Sequence, residues 1–531
     1  MLVQFVRRFM LVWRFASTAL SLFLLTGPVV SQEAIRFSWP VNAGPLNPHL
    51  YSPNQMFAQG MVYEPLVRYQ PDGKIVPWLA QAWDVSPDGR VYIFQLRLDV
   101  RFSNGEVFNA AAAAANFNAV LANRQQHAWL ELANQILSAD AIGDYTLQLT
   151  LKEPYYPLLQ ELALLRPFRF AAPSQFINEG TKEGILAPVG TGPWIFAQAR
   201  PFEFDLFVRN DTYWGAKPDY PSVEIKIIPD ANTRTVAFET GEIDLIYGVD
   251  GQISPDTFER FRNSGTATAE LSEPMETHML ALNTGHGPTA DLAVRRAINH
   301  AVNKDLMVSH LFHGTQSRAD TLFAANVPYA DIGLAPYAYD PEKSVELLED
   351  AGWMTDTDGV TRSRNGEPLI IDLCFIGNDA NARAMAEVVQ AELAKIGISA
   401  VLVGEEESSI NARQVDGRFG MIFNRTWGAP YDPHAFVSSM RVPSHADYQA
   451  QLGLTDKAEI DARIGEVLLS TDEAARQDLY TQILTRLHEE AVYLPLTYAR
   501  AIVVAKPELG DVPFGAISSE IPFDKLIRQN D

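Results

Sequence analysis

Hydrophobic and polar residues alternate with a period of two in the first half of the chain, which predicts β-strands. The run 35–39 is one such strand. Between residues 83 and 110, turn sequences at 87–89 and 103–105 interrupt alternating runs, which predicts two successive β-hairpins. In the run 91–96, Val91, Ile93 and Gln95 alternate with Tyr92, Phe94 and Leu96.

Helical periodicity dominates the second half, where polar residues suited to capping precede several apolar-periodic runs. The first half contains one such helix, an alanine-rich run that Asn109 caps and that ends at about Asn123. The elements expected in the second half are a helix over 291–311 that begins at Asp291, a helix from Asp340 to Gly352, a strand–helix–strand unit over 369–376, 381–396 and 399–403, and helices over 457–468 and 472–490. The pattern predicts an α/β protein with a strand-rich first half.

The first 31 residues differ from the rest of the chain. Arg7, Arg8 and Arg14 precede a short apolar run, 15–25, and small residues follow at Val29 and Ser31. This order is typical of a secretory signal peptide cleaved before Gln32. The apolar run is too short for a bilayer span, and no later segment is apolar enough to be one.

Charge and cysteine content narrow the range of partners. The formal net charge is −23, and loss of the signal arginines would make the chain more acidic still, which disfavours nucleic acid and anionic lipid as partners. Cys374 is the only cysteine and lies in an apolar run, so we expect a buried thiol, with no internal disulfide and no lipid attachment site after the signal. An exported protein without an anchor fits a periplasm.

Motifs for common catalytic chemistry are absent. The sequence contains no phosphate-binding P-loop, no His-Glu-x-x-His and no Gly-x-Ser-x-Gly. No nucleophile, base and orienting residue can be assigned together, so we do not expect an enzyme. Arg166 lies in an apolar stretch, where an unpaired cation is costly, and its partner is either an internal acid or a ligand.

Several sequence blocks resemble the nickel, dipeptide and oligopeptide class of extracytoplasmic solute-binding proteins, and they occur in family order. These blocks are 83–110, 190–194 (GTGPW), 209–215 (RNDTYWG), 238–245 (FETGEIDL), 281–284 with 294–299, and 347–353. The chain is most similar to the nickel-binding branch of that class, through 41–57, 127–135, 166–170 and the stretch 427–448, WGAPYDPHAFVSSMRVPSHADY.

The resemblance implies a two-lobe periplasmic-binding-protein fold of type II with an extra subdomain in the first lobe. On this chain the first lobe would comprise 32–274 and 498–531, with 76–190 as the extra subdomain, and the second lobe 275–497. The implied function is capture of nickel as a complex with a small organic chelator. A monomer would deliver this cargo to the permease and ATPase of an ABC importer. The alternative is a protein of the same family that binds dipeptides, oligopeptides or another metal chelate.

The resemblance also implies roles for particular residues. His445 would supply the one protein ligand to the metal, and Arg166 would bind carboxylates of the chelator. The residues implied as pocket walls and further contacts are Tyr51, Met56, Trp129, Trp427, Tyr431 and Ser519. Without the resemblance, His445 in its Pro-Ser loop would be read as a surface histidine. The nearby His434 is interpreted as structural, and the alternative is that it is the donor to the metal instead.

One departure from the family pattern concerns charge. The resemblance implies a second arginine three residues before the pocket tryptophan, as in a close relative in the nickel branch, and here Gln126 occupies that place. We therefore expect a cargo less anionic than a tricarboxylate complex, for example nickel with two free histidines.

Overall fold

The computed structural model describes residues 34–51, 53–127, 129–249, 252–355 and 360–528, so the predicted signal peptide lies outside the described residues. The strands, numbered in chain order, are β1 (Ile35–Trp39), β2 (Val67–Tyr69), β3 (Ile75–Pro77), β4 (Ala80–Val85), β5 (Val91–Leu96), β6 (Ile136–Gly143), β7 (Thr146–Leu151), β8 (Phe176–Ile177), β9 (Gly180–Ile185), β10 (Trp194–Arg200), β11 (Phe204–Arg209), β12 (Ser222–Ile227), β13 (Leu245–Val249), β14 (Thr268–Leu282), β15 (Ser317–Arg318), β16 (Met354–Thr355), β17 (Arg362–Arg364), β18 (Glu367–Pro368), β19 (Ile370–Ile376), β20 (Ser399–Glu405), β21 (Met421–Arg425) and β22 (Tyr493–Ala505).

The helices connect these strands and concentrate in the second half. They are α1 (Met56–Val62), α2 (Ala110–Ala122), α3 (Glu131–Gln135), α4 (Leu158–Leu162), α5 (Ala231–Glu239), α6 (Pro255–Ser264), α7 (Leu292–Ala301), α8 (Lys304–Leu306), α9 (Pro341–Asp350), α10 (Ala380–Ala394), α11 (Glu407–Asp416), α12 (His434–Ser439), α13 (Ala446–Gln451), α14 (Lys457–Leu469) and α15 (Glu473–Glu489). Among the described residues, no helix is both long and apolar enough to cross a bilayer.

Three larger sheets organise the chain. One has the strand order β1-β12-β11-β10, and a second, β4-β5-β7-β6, is antiparallel throughout. The third follows the order β13-β22-β14-β21-β19-β20, with β15 added beside β22. The long strands β14 and β22 run through this third sheet, and their pairing shifts register between Leu271 and Met279. This irregular segment connects the part of the sheet around β13 with the part around β19 to β21.

Most of the predicted elements are confirmed. Strand β1 has the predicted bounds, and β4 and β5 form the first hairpin with Tyr92, Phe94 and Leu96 buried. The Asn109 side chain accepts the Ala112 N–H at 2.9 Å at the start of α2. Strands β19 and β20 pair in parallel around α10, as expected for a strand–helix–strand unit, and the Cys374 thiol is buried in β19.

Two predicted elements are wrong in extent. The second hairpin is reduced to a single bridge between Arg101 and Val107. The helix expected over 291–311 ends at Ala301, because the Asn303 side chain accepts the Leu306 N–H at 2.9 Å and caps a new short helix, α8. A π-helical turn, Met307–Leu311, follows. Capping by an asparagine side chain competes with continuation of the first helix.

The Gly190-Thr-Gly192 motif packs against the end of α1. The Gly192 N–H donates to the Val62 carbonyl at 2.9 Å. A Cβ atom on Gly190 would lie 2.1 Å from the Val62 oxygen, closer than any non-bonded contact allows. These glycines therefore let two backbones meet, and they fix the position of the helix that begins at Met56.

We expect Gly190→Ala to lower the free energy of unfolding by about 1–3 kcal/mol, because the added methyl group must displace backbone. Urea unfolding followed by circular dichroism measures this change. Gly180→Ala is the matched control, since nothing lies within 4 Å of its Cβ position, and its effect should stay within about 0.5 kcal/mol. Equal stability of the two variants would contradict the packing argument.

His434 is a buried histidine of the fold. Its Nδ1 lies 2.8 Å from the Tyr480 hydroxyl and 3.2 Å from Nη2 of Arg476. Because a guanidinium can only donate, Nδ1 is an acceptor and the imidazole is neutral. Burial, with a smaller contribution from the Arg476 charge, lowers the pKa of His434 from 6.5 to about 3.

The buried neutral His434 should make stability sensitive to acid. Below its ordinary pKa of 6.5 the unfolded chain takes up a proton that the folded chain refuses until about pH 3, so stability falls across that window. At about pH 5 we expect His434 to account for a loss of about 2 kcal/mol relative to neutral pH, and His434→Gln should be less sensitive to acid than the wild type by that amount. Urea unfolding at about pH 7.5 and pH 5 measures it, with exposed His310→Gln as the control. The same pH dependence in His434→Gln and the wild type would refute this assignment.

Candidate functional site

A cavity of about 790 Å³ lies among the loops before α1, after α4 and after β21. This volume is typical of small-molecule sites. Every site residue predicted from the sequence lines it: Tyr51, Met56, Gln126, Trp129, Arg166, Trp427, Tyr431, His445 and Ser519. The structure thus brings together residues from distant parts of the chain.

A relay of hydrogen bonds fixes the ring of Tyr51. The Trp129 indole N–H donates to the Tyr51 hydroxyl at 2.7 Å, and this hydroxyl lies 2.6 Å from Nδ1 of His127. The relay is continuous when the Tyr51 hydroxyl donates to an unprotonated Nδ1. Burial lowers the pKa of His127 from 6.5 to about 4, so the neutral imidazole that this requires persists at neutral pH.

The loop that carries Tyr51 is held by buried polar residues. His49 contacts the Thr181 hydroxyl through Nδ1 and the Arg169 carbonyl through Nε2, each at 2.9 Å. The Asn54 side chain accepts the Asn47 N–H at 2.9 Å. A loop tied down in this way presents its side chains to the cavity in one arrangement, with Met56 following at the start of α1.

Arg166 projects a cation into this aromatic wall. Its guanidinium carbon lies 4.8 Å from the centre of the Tyr51 ring. Within the described residues, no hydrogen bond or ion pair reaches its guanidinium. Burial is the main cause that lowers the pKa of Arg166, so the charge is held at a cost in solvation. Of the two partners considered for Arg166, the described residues supply no internal acid.

Asp432 shapes the turn that presents Trp427 and Tyr431. Its carboxylate accepts the Trp427 N–H at 3.1 Å and the Gly428 N–H at 2.9 Å. Burial raises the pKa of Asp432 to about 7. The Trp129 ring lies 6.3 Å from Trp427 and 6.1 Å from Tyr431 between centroids, so the three aromatic rings form one continuous wall.

His445 occupies the position just before α13, with its ring 5.8 Å from Trp427. Its ring nitrogens make no hydrogen bond within the described part of the chain. Burial lowers its pKa, and the negative charge of Asp447 opposes this effect. Asp447 is itself buried and bound by the Asn424 amide and the Tyr493 hydroxyl. The imidazole of His445 is therefore neutral at neutral pH, with a lone pair available to a metal.

Gln126 and Ser519 lie at the edge of the cavity. Gln126 is exposed in a 3-10 turn, and its side-chain oxygen accepts a hydrogen bond from Asn123. Ser519 is half-buried in the loop before the C-terminal end of the described chain. Both present uncharged polar groups.

Sequence reasoning missed several lining residues. Glu276 on β14 and Arg425 at the end of β21 add charge, and Trp39, Gln55 and Gln252 add further walls. The Trp39 indole donates to Gln55 at 3.1 Å. No local motif marks these residues, because strand pairing and chain folding alone bring them to the cavity. The described residues contain no group of three or more His, Cys, Asp or Glu side chains suited to hold a metal.

Comparisons with known proteins confirm the resemblance found in the sequence. The profile of the bacterial extracellular solute-binding proteins, family 5 middle, matches residues 74–448. The nickel-binding periplasmic protein of Escherichia coli strain K12 is 60% identical over 494 residues, which cover 93% of this chain and 94% of that protein.

Solved structures agree. NikA from Brucella suis in complex with Fe(III)-EDTA is 66% identical, with a TM-score of 0.92 over 93% of this chain and 100% of that one. NikZ from Campylobacter jejuni in complex with Ni(L-His), at 21% identity and a TM-score of 0.77 over 93% and 98% of the two chains, supports the fold alone. The expected two-lobe α/β periplasmic-binding-protein fold is confirmed. The chain therefore belongs to family 5 of the bacterial extracellular solute-binding proteins.

Proposed function

We propose that this protein captures Ni²⁺ as a complex with a small organic chelator and delivers it to the permease and ATPase of an ABC importer. One observation carries the proposal: a neutral imidazole, His445, and an Arg166 guanidinium without a described protein partner line the same aromatic cavity. Two similar proteins support the proposal: one is named a nickel-binding protein, and the other was solved in complex with a metal chelate.

The donors suit nickel that arrives already chelated. Nickel(II) accepts nitrogen and oxygen ligands and binds imidazole well. His445 would supply one nitrogen, and the described residues offer no cluster of further metal ligands around it. The remaining donors would then belong to the chelator, which leaves with its metal on release. A cage made wholly of protein would hold the ion more firmly than transport requires.

Arg166 would bind a chelator carboxylate through two parallel hydrogen bonds. The pairing is strong where water is excluded, and the Tyr51, Trp129 and Trp427 rings supply that exclusion. A ligand carboxylate would offset the cost of holding the guanidinium among these rings.

The cavity would open and close by movement of two lobes. We place the first lobe at 32–274 and 498–531, with 76–190 as an extra subdomain, and the second at 275–497. The shift in register within β14 lies at this boundary and supports a hinge there. Tyr51, Trp129 and Arg166 would then belong to one lobe and Trp427 and His445 to the other, so that closure encloses the ligand.

A periplasmic monomer without catalytic activity fits this role. The similar protein from Escherichia coli is periplasmic by name. No hydrogen bond joins a serine to a histidine among the described cavity-lining residues, and transport requires that the cargo leave unchanged.

Glu276 favours a second candidate, the binding of a dipeptide or oligopeptide. A carboxylate in the cavity could meet the amino terminus of a peptide, and Glu276 lines the cavity with its side chain 9% exposed. It is already close to two cationic or titratable side chains, Arg425 and His278, which makes it a weaker partner for an amine. The dependence of binding on metal separates the two functions.

His445→Ala should reduce the affinity for nickel–nitrilotriacetate at least about tenfold, because one metal–nitrogen bond is lost. His445 lies in a half-buried loop, so we expect the variant to keep its fold, and circular dichroism checks this point. Isothermal titration calorimetry on untagged protein measures the affinity.

The matched control for that variant is His310→Ala, an exposed histidine outside the cavity, which should bind like the wild type. Unchanged nickel affinity in His445→Ala would remove this histidine from the site. Copurifying peptides that bind without metal would favour the second candidate.

Arg166→Ala should weaken binding of the same chelate by about 2–5 kcal/mol, because a carboxylate loses its buried cation. Calorimetry reports this change, and Arg101→Ala, at an exposed position outside the cavity, is the control. An affinity equal to that of the wild type would mean that the chelator carboxylates bind elsewhere.

A further inference from the structure

The cavity contains charged side chains that the sequence analysis, which considered only Arg166 and the missing arginine at Gln126, did not include. Among the described residues that line it, the charged side chains are Arg166, Arg425 and Glu276. These three side chains sum to one positive charge. A second cation therefore reaches the cavity from β21, although the position of Gln126 offers none.

Arg425 and Glu276 form a loose and unequal pair. Nη1 of Arg425 lies 3.7 Å from Oε1 of Glu276, which is beyond hydrogen-bond distance. The Arg425 side chain is 66% exposed, whereas that of Glu276 is 9% exposed and also lies 3.6 Å from Nε2 of His278. The acid is thus enclosed between two neighbours, and the arginine is the member that can turn toward a ligand.

We propose that Arg425 is a second carboxylate-binding residue of the cavity, which exchanges its loose contact with Glu276 for a carboxylate of the bound chelate. This inference rests on the function proposed above. It assigns the cargo to chelates with net negative charge, and so it reverses the expectation drawn from Gln126.

The exchange explains how an exposed cation contributes to selection. The contact at 3.7 Å is longer than a hydrogen bond, and the Arg425 side chain is 66% exposed, so little is lost when Arg425 leaves Glu276, which keeps His278 as its other neighbour. A ligand carboxylate held by Arg166 on one side and Arg425 on the other would add a second charge-assisted contact. Glu276 repels an anion that enters the cavity, whereas Arg425 attracts it. The affinity for an anionic chelate would therefore depend on the balance between these two side chains.

Two nickel chelates test the proposal because they differ by one carboxymethyl arm and therefore by one unit of charge. Nickel–iminodiacetate is neutral, nickel–nitrilotriacetate carries one negative charge, and both leave metal positions open to His445. In calorimetry at low salt, Arg425→Gln should weaken binding of the anionic chelate about three- to tenfold and that of the neutral chelate less. Glu276→Gln should strengthen binding of the anionic chelate.

The opposite signs distinguish binding from structure. If the pair merely stabilised the fold, both variants would weaken binding of both chelates alike. Arg418→Gln, which removes an exposed arginine that pairs with Asp416 outside the cavity, is the control and should bind like the wild type.

Each result has a consequence. Opposite effects of the two variants on the anionic chelate support the proposal. An unchanged preference between the chelates in Arg425→Gln, in protein whose binding still requires His445, overturns this inference alone. Failure of the wild type to bind either chelate overturns it together with the proposed function.

Discussion

The guanidinium of Arg166 is held in a wall of aromatic rings with no carboxylate partner among the described residues. Neutralisation of this positive charge is the constraint on which the cavity depends. Desolvation makes such a cation costly, as the lowered pKa of Arg166 reflects. The guanidinium lies above the Tyr51 ring, and this cation–π interaction offsets part of the desolvation cost. A carboxylate from outside the protein would supply the rest, which is why the site fits an anionic small molecule.

The other side chains of the cavity divide the remaining tasks. The His127–Tyr51–Trp129 relay and the Asp432 turn fix the aromatic walls before any ligand arrives, so binding does not have to order them. His445 is kept neutral by burial and can offer a lone pair. Because only one proposed metal donor belongs to the protein, release requires the loss of one coordinate bond and the opening of the walls.

Local sequence signals predicted much of the fold. The Asn109 cap and the βαβ unit β19-α10-β20 were readable because each depends on neighbouring residues alone. The break after Ala301 was not, since Asn303 also fitted the helical pattern. Resemblance to a family, and no local sequence signal, predicted the roles of His445 and Arg166. Glu276 and Arg425 escaped notice because they meet only through the pairing of β14 with β21, which no short motif encodes.

A crystal structure of the protein isolated from nickel-supplied periplasm, with anomalous data at the nickel edge, tests the central claim most directly. The account predicts one nickel ion bonded to the His445 imidazole, with its other donors from a small molecule whose carboxylate contacts Arg166. A nickel ion enclosed by several side chains of the polypeptide, or a cavity filled by a peptide without metal, would contradict it.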